Sequence, residues 1–363
     1  MVLNHAAELT KRGHQVECWF LEDVLRPSVQ WKRFQALRFA KEIARRIRRE
    51  PARFDLVNLH APWGGVYGKW RRRSAGGPPY VLTMQGSEER YVQAMRLEER
   101  KGRAWNFSWK NQMWHRAYHQ RMYDESIKTA DYGVVANREA WICAELKYGR
   151  APGLFWYVPN GTEERFFVAR EYPETAACEL LFVGTWLDRK GVYYLTDGFL
   201  RASQKNLGLR LTVAGCSASE GEVKKMFAAE VREQVKVIPF VKREKVLELY
   251  AAHDVFVFPS LVEGMPLTLL EAMATGMPVV TTNTSGMADV VEDNVNGLLV
   301  PAADAEKLAD SIARLCHSSE LRKRLGLAAQ ETMRRYTWAR IAGQMEKVFT
   351  LAIEKRERHG RVS

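Results

Sequence analysis

The stretch Val255-Phe256-Val257-Phe258-Pro259-Ser260-Leu261-Val262-Glu263-Gly264-Met265-Pro266-Leu267-Thr268-Leu269-Leu270-Glu271 decides the architecture. Its first four residues are β-branched or aromatic without a polar alternation, the pattern of a strand buried on both faces. Pro259 stops that strand, and Pro266 is preset for the first position of a helix over 266–275 that Gly276 closes. The same alternation extends in both directions. Strands are expected at Leu180–Val183, Leu209–Ala214, Val235–Ile238 and Val279–Thr281, separated by helices from Gly191, over 221–233 and over 243–252. Short apolar strands alternating with helices predict a doubly wound parallel sheet. Helices over 305–316 and 319–333 follow, and an amphipathic helix closes the chain after Thr337-Trp338.

The first half is patterned less sharply. Leu3 to Leu9 reads as a helix stopped by Gly13, followed by strands at Val16–Leu21, Leu56–Leu59, Tyr80–Thr83 and Tyr132–Val135, with a basic loop Lys69-Trp70-Arg71-Arg72-Arg73. A chain that starts inside a helix lacks the first strand of a parallel domain and its glycine-rich turn, so the first strand is expected to be missing. Residues 31–49 set apolar Trp31, Phe34, Ile43 and Ile47 against a basic row of Arg38, Lys41, Arg45 and Arg48, with Pro51 as the stop. That is a basic amphipathic helix, either a solvated outer helix or a membrane-surface one. Over 105–123, Trp105 and Trp109, and Trp114 and Tyr118, stand four apart among Lys110, His115, Arg116 and Arg121. This face suits a core or an interfacial contact. The Val158-Pro159-Asn160-Gly161 turn marks a boundary, giving domains 1–160 and 161–335 and a last helix 336–363 expected to cross back onto the first domain.

With 363 residues, 46% hydrophobic and 27% charged, the chain can bury two cores, which excludes disordered and collagen-like classes. Its net charge of +12 suits a polyanionic partner: nucleic acid, an anionic lipid surface or a phosphate-bearing substrate. No recognised nucleic-acid motif organises the cations, so nucleic acid is not expected. The cysteines Cys18, Cys143, Cys178, Cys216 and Cys316 lie far apart, which indicates neither a disulfide framework nor a zinc site and fits a reducing cytosol. Neither a membrane-spanning run nor a signal-peptide pattern is present. No Asp-x-Asp triplet and no clustered histidine ligands are apparent, so no metal is expected.

Chemistry concentrates where strands meet glycines. The loop with Glu263 and Gly264 lies at a strand's carboxyl end, where open α/β sheets bind ligands. Free backbone N–H groups of the following helix, including those of Leu267 and Thr268, face the positive end of its dipole and suit a phosphate. Glu271, one turn further in, is placed to accept sugar hydroxyls, as an acidic residue does for ribose in dinucleotide folds. A second constellation is Leu181-Phe182-Val183-Gly184-Thr185-Trp186-Leu187-Asp188-Arg189-Lys190-Gly191. Arg189 and Lys190 can meet a diphosphate, one as a planar fork and the other as a point charge. For both constellations ordinary surface charge is the competing reading.

Glu263 through Glu271 resembles the E-x7-E element of the retaining, nucleotide-sugar-dependent glycosyltransferases of family 4, which have the GT-B fold. Around it stand Gly184 with Arg189-Lys190-Gly191, Val158-Pro159-Asn160-Gly161, Ala130-Asp131, Asn296-Gly297-Leu298-Leu299-Val300-Pro301 and Tyr336-Thr337-Trp338. The resemblance is strong over 155–340 and looser before. It implies two Rossmann-like parallel-sheet domains facing across a cleft that closes by hinge motion. It implies that Glu271 holds the ribose, that Glu263 contacts the donor sugar, and that Gly264, Met265, Pro266, Leu267 and Thr268 offer amides to sugar and phosphate. Lys190 and Arg189 would neutralise the departing diphosphate, Gly184 would line the donor site, and Val241 after Phe240 would present backbone to the base. The expected activity is transfer of a hexose, with retention, from a nucleotide sugar to a saccharide or lipid-linked acceptor in cell-surface polysaccharide or glycolipid synthesis. No cofactor or metal is implied, and the setting is the cytoplasm, with peripheral contact to the inner face of an anionic membrane.

Besides the missing first strand with its glycine-rich acceptor loop, the chain departs from the family pattern in two places. Thr185 stands where many members have Arg after the strand-end glycine. On the acceptor side, Gln85-Gly86 replaces a His-Gly pair, and a glutamine can bind a sugar hydroxyl but cannot act as acid or base. Two other readings share these residues: an epimerase or hydrolase of the same fold, and a non-catalytic basic module that binds membranes. The sugar, the base, the acceptor and the oligomeric state depend on pocket shape, not on motifs.

Overall fold

The computed structural model describes residues 1–25, 35–74, 76–103, 109–148, 153–174, 178–205 and 208–360. The chain forms two compact units. The first comprises Met1–Glu88, Asn106–Pro159 and Trp338–Ser363, and the second Glu89–Trp105 and Asn160–Thr337.

The first unit holds a parallel sheet of β1 (Val57–His60), β2 (Tyr80–Met84), β3 (Tyr132–Val135) and β4 (Phe155–Tyr157), in the order β1-β2-β3-β4. All five residues of β2 are buried, as a central strand covered by helices on both faces requires. Helix Gln35–Arg49 buries Phe39, Ile43 and Ile47 against this core and leaves Arg38, Lys41, Arg45 and Arg48 exposed. Its apolar face is therefore used inside the protein, and only its basic row is open to a membrane surface. Helix Trp338–Gly360 packs in the same unit, with Trp338 edge-on to His5 at 4.8 Å and Glu346 bonded to Arg12 and His14.

The second unit holds six parallel strands: β5 (Cys178–Val183), β6 (Leu209–Ala214), β7 (Val235–Ile238), β8 (Val255–Phe258), β9 (Val279–Thr282) and β10 (Leu298–Val300). Their order is β10-β9-β8-β5-β6-β7. The order reverses between β5 and β8, so a crevice opens at the carboxyl ends of those two strands. Glu89–Trp105, placed by sequence in the first domain, groups with this unit because its side chains are anchored there. The Tyr194 hydroxyl donates to the buried Glu98 at 2.6 Å, and Arg103 stacks over Tyr193 and Tyr194.

Several local expectations are corrected. Val16–Leu21 joins no ladder among the described residues, and a strand without a partner is not stable. Its Trp19 packs edge-on to Phe54 instead. The basic stretch 69–73 is not a loop but part of helix Gly65–Ser74, whose arginines propagate a helix well and favour its last turn. The helix expected over 221–233 breaks into Glu220–Lys225, capped by Ser219, and a 3-10 turn Ala229–Gln234, because Phe227 between them turns into the core and stacks on Trp186. Cys178 and Cys316, 138 residues apart, form a disulfide between β5 and helix Ala305–Cys316. Sequence spacing could not show this pairing, and the cysteines no longer argue for a reducing compartment. Trp31, Phe34 and Trp105 lie outside the described residues. No helix among the described residues is long and apolar enough to cross a membrane.

Candidate active site

The second unit assembles its charged residues at the switch between β5 and β8. After β5 the chain turns through Gly184 into a 3-10 turn, Asp188–Lys190, that ends on Gly191 in the left-handed region with φ +71. A Cβ on Gly191 would stand 1.9 Å from the carbonyl oxygen of Pro259, so glycine is needed for both the dihedral and the close approach. The two loops are also joined by backbone, with Leu261 N–H donating to the Arg189 carbonyl at 2.8 Å.

This approach brings Arg189, Lys190 and Glu263 together. Glu263 Oε1 lies 2.6 Å from an Arg189 guanidinium nitrogen and 2.7 Å from Lys190 Nζ, and Ser260 donates to it at 3.2 Å. Lys190 is only 9% exposed and its ammonium sits over the Phe258 ring. Burial holds the Lys190 pKa below the ordinary lysine value, although Glu263 opposes that shift. Two cations therefore share one carboxylate, and their remaining donors can meet a polyanion.

The helix after the loop is Leu267–Ala274, with Pro266 as its extended N-cap rather than its first turn. Glu271 points from it into the protein and is 2% exposed. An Arg243 guanidinium nitrogen stands 2.6 Å from its Oε1, and the Tyr250 hydroxyl donates to Oε2 at 3.1 Å. Burial pushes the Glu271 carboxyl up from its ordinary value, while Arg243 and Tyr250 pull the other way. Arg243 also reaches Glu163. The turn after β7 holds Val241 beside a Phe240 that is 77% exposed.

The sequence reading did not give roles to Arg243, Tyr250, Asn160 or Gly286. Buried Asn160, flagged only as a turn residue, donates from its amide to the Met265 carbonyl at 2.8 Å and so fixes the loop of Gly264 and Met265. Gly286 allows the same loop to pass, since a Cβ there would meet the Gly264 carbonyl oxygen at 1.8 Å. For Asn160 the Val158-Pro159-Asn160-Gly161 turn was the available signal; the distant partners of Arg243 and Gly286 left none.

Gln85 and Gly86 belong to the first unit, in the loop that leaves the carboxyl end of β2, where the Tyr123 hydroxyl donates to the Gly86 carbonyl at 2.6 Å. The expected lack of clustered histidines is corrected nearby: His115 and His119 converge on Glu88.

The family model described as Glycosyltransferase Family 4 matches residues 1–164, and the model for glycosyl transferases group 1 matches residues 170–332. The chain belongs to the family 4 glycosyltransferases. A phosphatidyl-myo-inositol mannosyltransferase of Mycobacterium leprae is 26% identical to this glycosyltransferase over 321 residues, 86% of this chain and 78% of that one. A glycosyltransferase of Methanocaldococcus jannaschii is 28% identical over 177 residues, 48% of this chain and 45% of its own length. A D-inositol 3-phosphate glycosyltransferase of Xylanimonas cellulosilytica is 37% identical over 126 residues, 35% of this chain and 30% of its own length. The chain thus matches less than half the length of these last two relatives. Among solved structures, sucrose-phosphate synthase from Thermosynechococcus elongatus superposes with a TM-score of 0.69 at 21% identity, covering 92% of this chain and 82% of that one. Anabaena HepE, solved with UDP and glucose, gives 0.64 at 17%, covering 89% and 83%. The likeness establishes the GT-B fold.

Proposed function

We propose that this family 4 glycosyltransferase transfers a sugar, with retention of anomeric configuration, from a nucleoside diphosphate sugar to a saccharide or lipid-linked acceptor in cell-surface polysaccharide or glycolipid synthesis. The observation that carries the reading is the meeting of Arg189 and Lys190 on Glu263 at the carboxyl ends of β5 and β8, with Glu271 held on Arg243 and Tyr250 in the same unit. HepE with bound UDP and the mannosyltransferase relative support a nucleotide-sugar donor.

In this reading Glu271 accepts the ribose hydroxyls, while Gly184 and the segment Gly264 to Thr268 approach phosphate and sugar through backbone. Val241 offers backbone to the base. Glu263, held by its two cations, faces the donor sugar. As the glycosidic bond to the diphosphate breaks, negative charge grows on the leaving oxygen, and Lys190 and Arg189 stabilise it where the charge develops. Lys190 is suited to this because its buried ammonium interacts in a lower effective dielectric than a surface lysine. No metal is required for the role these cations fill. Gln85 and Gly86 serve the acceptor through hydrogen bonds. The exposed row of Arg38, Lys41, Arg45 and Arg48 supports peripheral contact with an anionic inner membrane face.

The test is a thermal-shift panel of UDP, GDP, ADP and CMP and their sugar conjugates on the wild type and Glu271→Ala. Saturating one base at about a hundred times its dissociation constant adds about 2.7 kcal/mol of stability. A shift with one base that the variant loses supports the site. Wild-type protein that melts cooperatively but responds to no nucleotide overturns it. The anomeric configuration of the product, read by NMR, decides retention.

A further inference from the structure

The first unit carries a group of side chains that the donor chemistry does not use. Strand β2 ends at Met84, and after Gln85-Gly86-Ser87 the next helix opens with Glu88. Opposite it, residues His115–Gln120 form a π-helical turn between helices Trp109–Trp114 and Arg121–Thr129, a feature often kept at functional positions. His115 and His119 are four residues apart on this turn, and their rings stack at 4.9 Å with an interplanar angle of 29°. Both aim a nitrogen at one carboxylate oxygen. His115 Nε2 lies 2.5 Å from Glu88 Oε1, and His119 Nδ1 lies 3.5 Å from that same oxygen.

A plain ion-pair reading leaves a defect here. His119 Nδ1 is buried and completes no hydrogen bond, and a buried polar atom without a partner is costly. A cation at the point where the three ligand atoms converge gives His119 Nδ1 the partner it lacks. Those atoms lie within 4.8 Å of one another. Zinc bonds of about 2.0–2.2 Å to nitrogen and oxygen, set tetrahedrally, place ligand atoms roughly 3.3–3.5 Å apart. His119 and Glu88 already stand at that spacing, and the closer Glu88–His115 pair needs to open by under about 1 Å, which a small side-chain rotation supplies. The support around the ligands is in place. Tyr123, on the helix that follows the histidines, bonds the Gly86 carbonyl and so fixes the loop that leads into Glu88. The three side chains are 17%, 17% and 29% exposed, leaving a side open to an entering ion.

We propose that Glu88, His115 and His119 bind one divalent transition-metal ion of the zinc class. Two imidazoles and a carboxylate suit zinc, and three protein ligands leave a coordination position for water or another oxygen donor. Binding takes His115 as the neutral ring with Nε2 free for the metal, so a proton held between Nε2 and Glu88 moves to the other ring nitrogen or to solvent. The site lies at the carboxyl end of β2, beside the Gln85-Gly86 loop. It is independent of the donor reading, whose residues belong to the second unit.

The experiment uses the full chain, freed of metal with a chelator and titrated with zinc and, separately, with cobalt as a spectroscopic stand-in. One zinc per chain and a cobalt absorption spectrum of a four- or five-coordinate histidine site are expected. His119→Ala and Glu88→Gln should weaken zinc binding by more than about a hundredfold, beyond the loss caused by an outer hydrogen-bond partner. His317→Ala, which removes an exposed histidine of the second unit, should leave binding unchanged. The proposal is overturned if the wild type takes up no stoichiometric zinc, if cobalt gives only the octahedral aquo spectrum, or if the well-folded variants bind as the wild type does. Because the cobalt spectrum is read on the wild type, a variant that fails to fold does not remove the test. Nucleotide-induced thermal shifts on the metal-free protein judge the donor site separately.

Discussion

Replacing Glu263 by glutamine tests how the charged cluster is balanced. The carboxylate is 10% exposed as a side chain and sits between Lys190, 11% exposed, and Arg189, 32% exposed. Removing one member of a buried ion pair costs about 3–5 kcal/mol because the other charge is left without compensation. Here the glutamine oxygen still accepts one hydrogen bond and Arg189 can turn to water, so the lower end applies, about 3 kcal/mol. For a unit of this size that lowers the melting temperature by roughly 6–12 °C. The pH dependence carries the sign. Lys190 already has a depressed pKa in the folded state, and without Glu263 it falls further. Between the folded value and the unfolded one the unfolded chain binds more protons, so stability rises with pH in that window. The gap between variant and wild type should therefore narrow from pH 7 towards about pH 10 as Lys190 loses its proton. The same change frees both cations for a diphosphate, so saturating nucleoside diphosphate should raise the melting temperature more in the variant, while sugar transfer falls. Calorimetry at pH 7 and at alkaline pH, with and without nucleotide, measures all of this. A variant that melts within a degree or two of the wild type at pH 7, with no narrowing above, would refute the claim that the pair is buried and coupled.

Four further outcomes are expected. Glu271→Gln keeps the Tyr250 bond and releases an Arg243 that still has Glu163, so stability should change by no more than about 1 kcal/mol while nucleotide affinity drops roughly 10- to 100-fold, read by calorimetric titration. Gly191→Ala must shift the backbone away from Pro259 and strain a left-handed residue, costing at least about 2 kcal/mol in denaturant unfolding. Asn160→Ala releases the Met265 carbonyl and should weaken donor binding more than it lowers the melting temperature, since the loop it holds lies at the site. His5 and His60 are held at about 4 by burial, with His60 adding repulsion at His5. Because the unfolded rings take up protons first, stability should fall between about pH 6.5 and 4, by about 3 kcal/mol for each ring, and an acid titration of the melting temperature that stays flat over that range contradicts it.

The sequence by itself determined most of the strands of the second unit and the identity of its charged loops. Val255–Phe258, Leu180–Val183 and Val279–Thr281 are buried throughout, so their apolar runs need no knowledge of neighbours to be read, and the two prolines mark the ends of the loop from Pro259 to Pro266 locally, although distant groups hold its conformation. In the first half the same local logic misjudged Val16–Leu21, because a strand exists only with a partner, and the basic residues of Gly65–Ser74, because helix propensity and packing of Tyr67 outweigh their charge. Tertiary structure alone decided the contacts that span long stretches of chain. Arg243 reaches Glu271, Asn160 reaches Met265 across 105 residues, Cys178 meets Cys316, and Glu88 meets two histidines that lie on a separate helical turn. Motifs report what the backbone does within a few residues, whereas the energy of a buried charge depends on which distant groups the fold places around it.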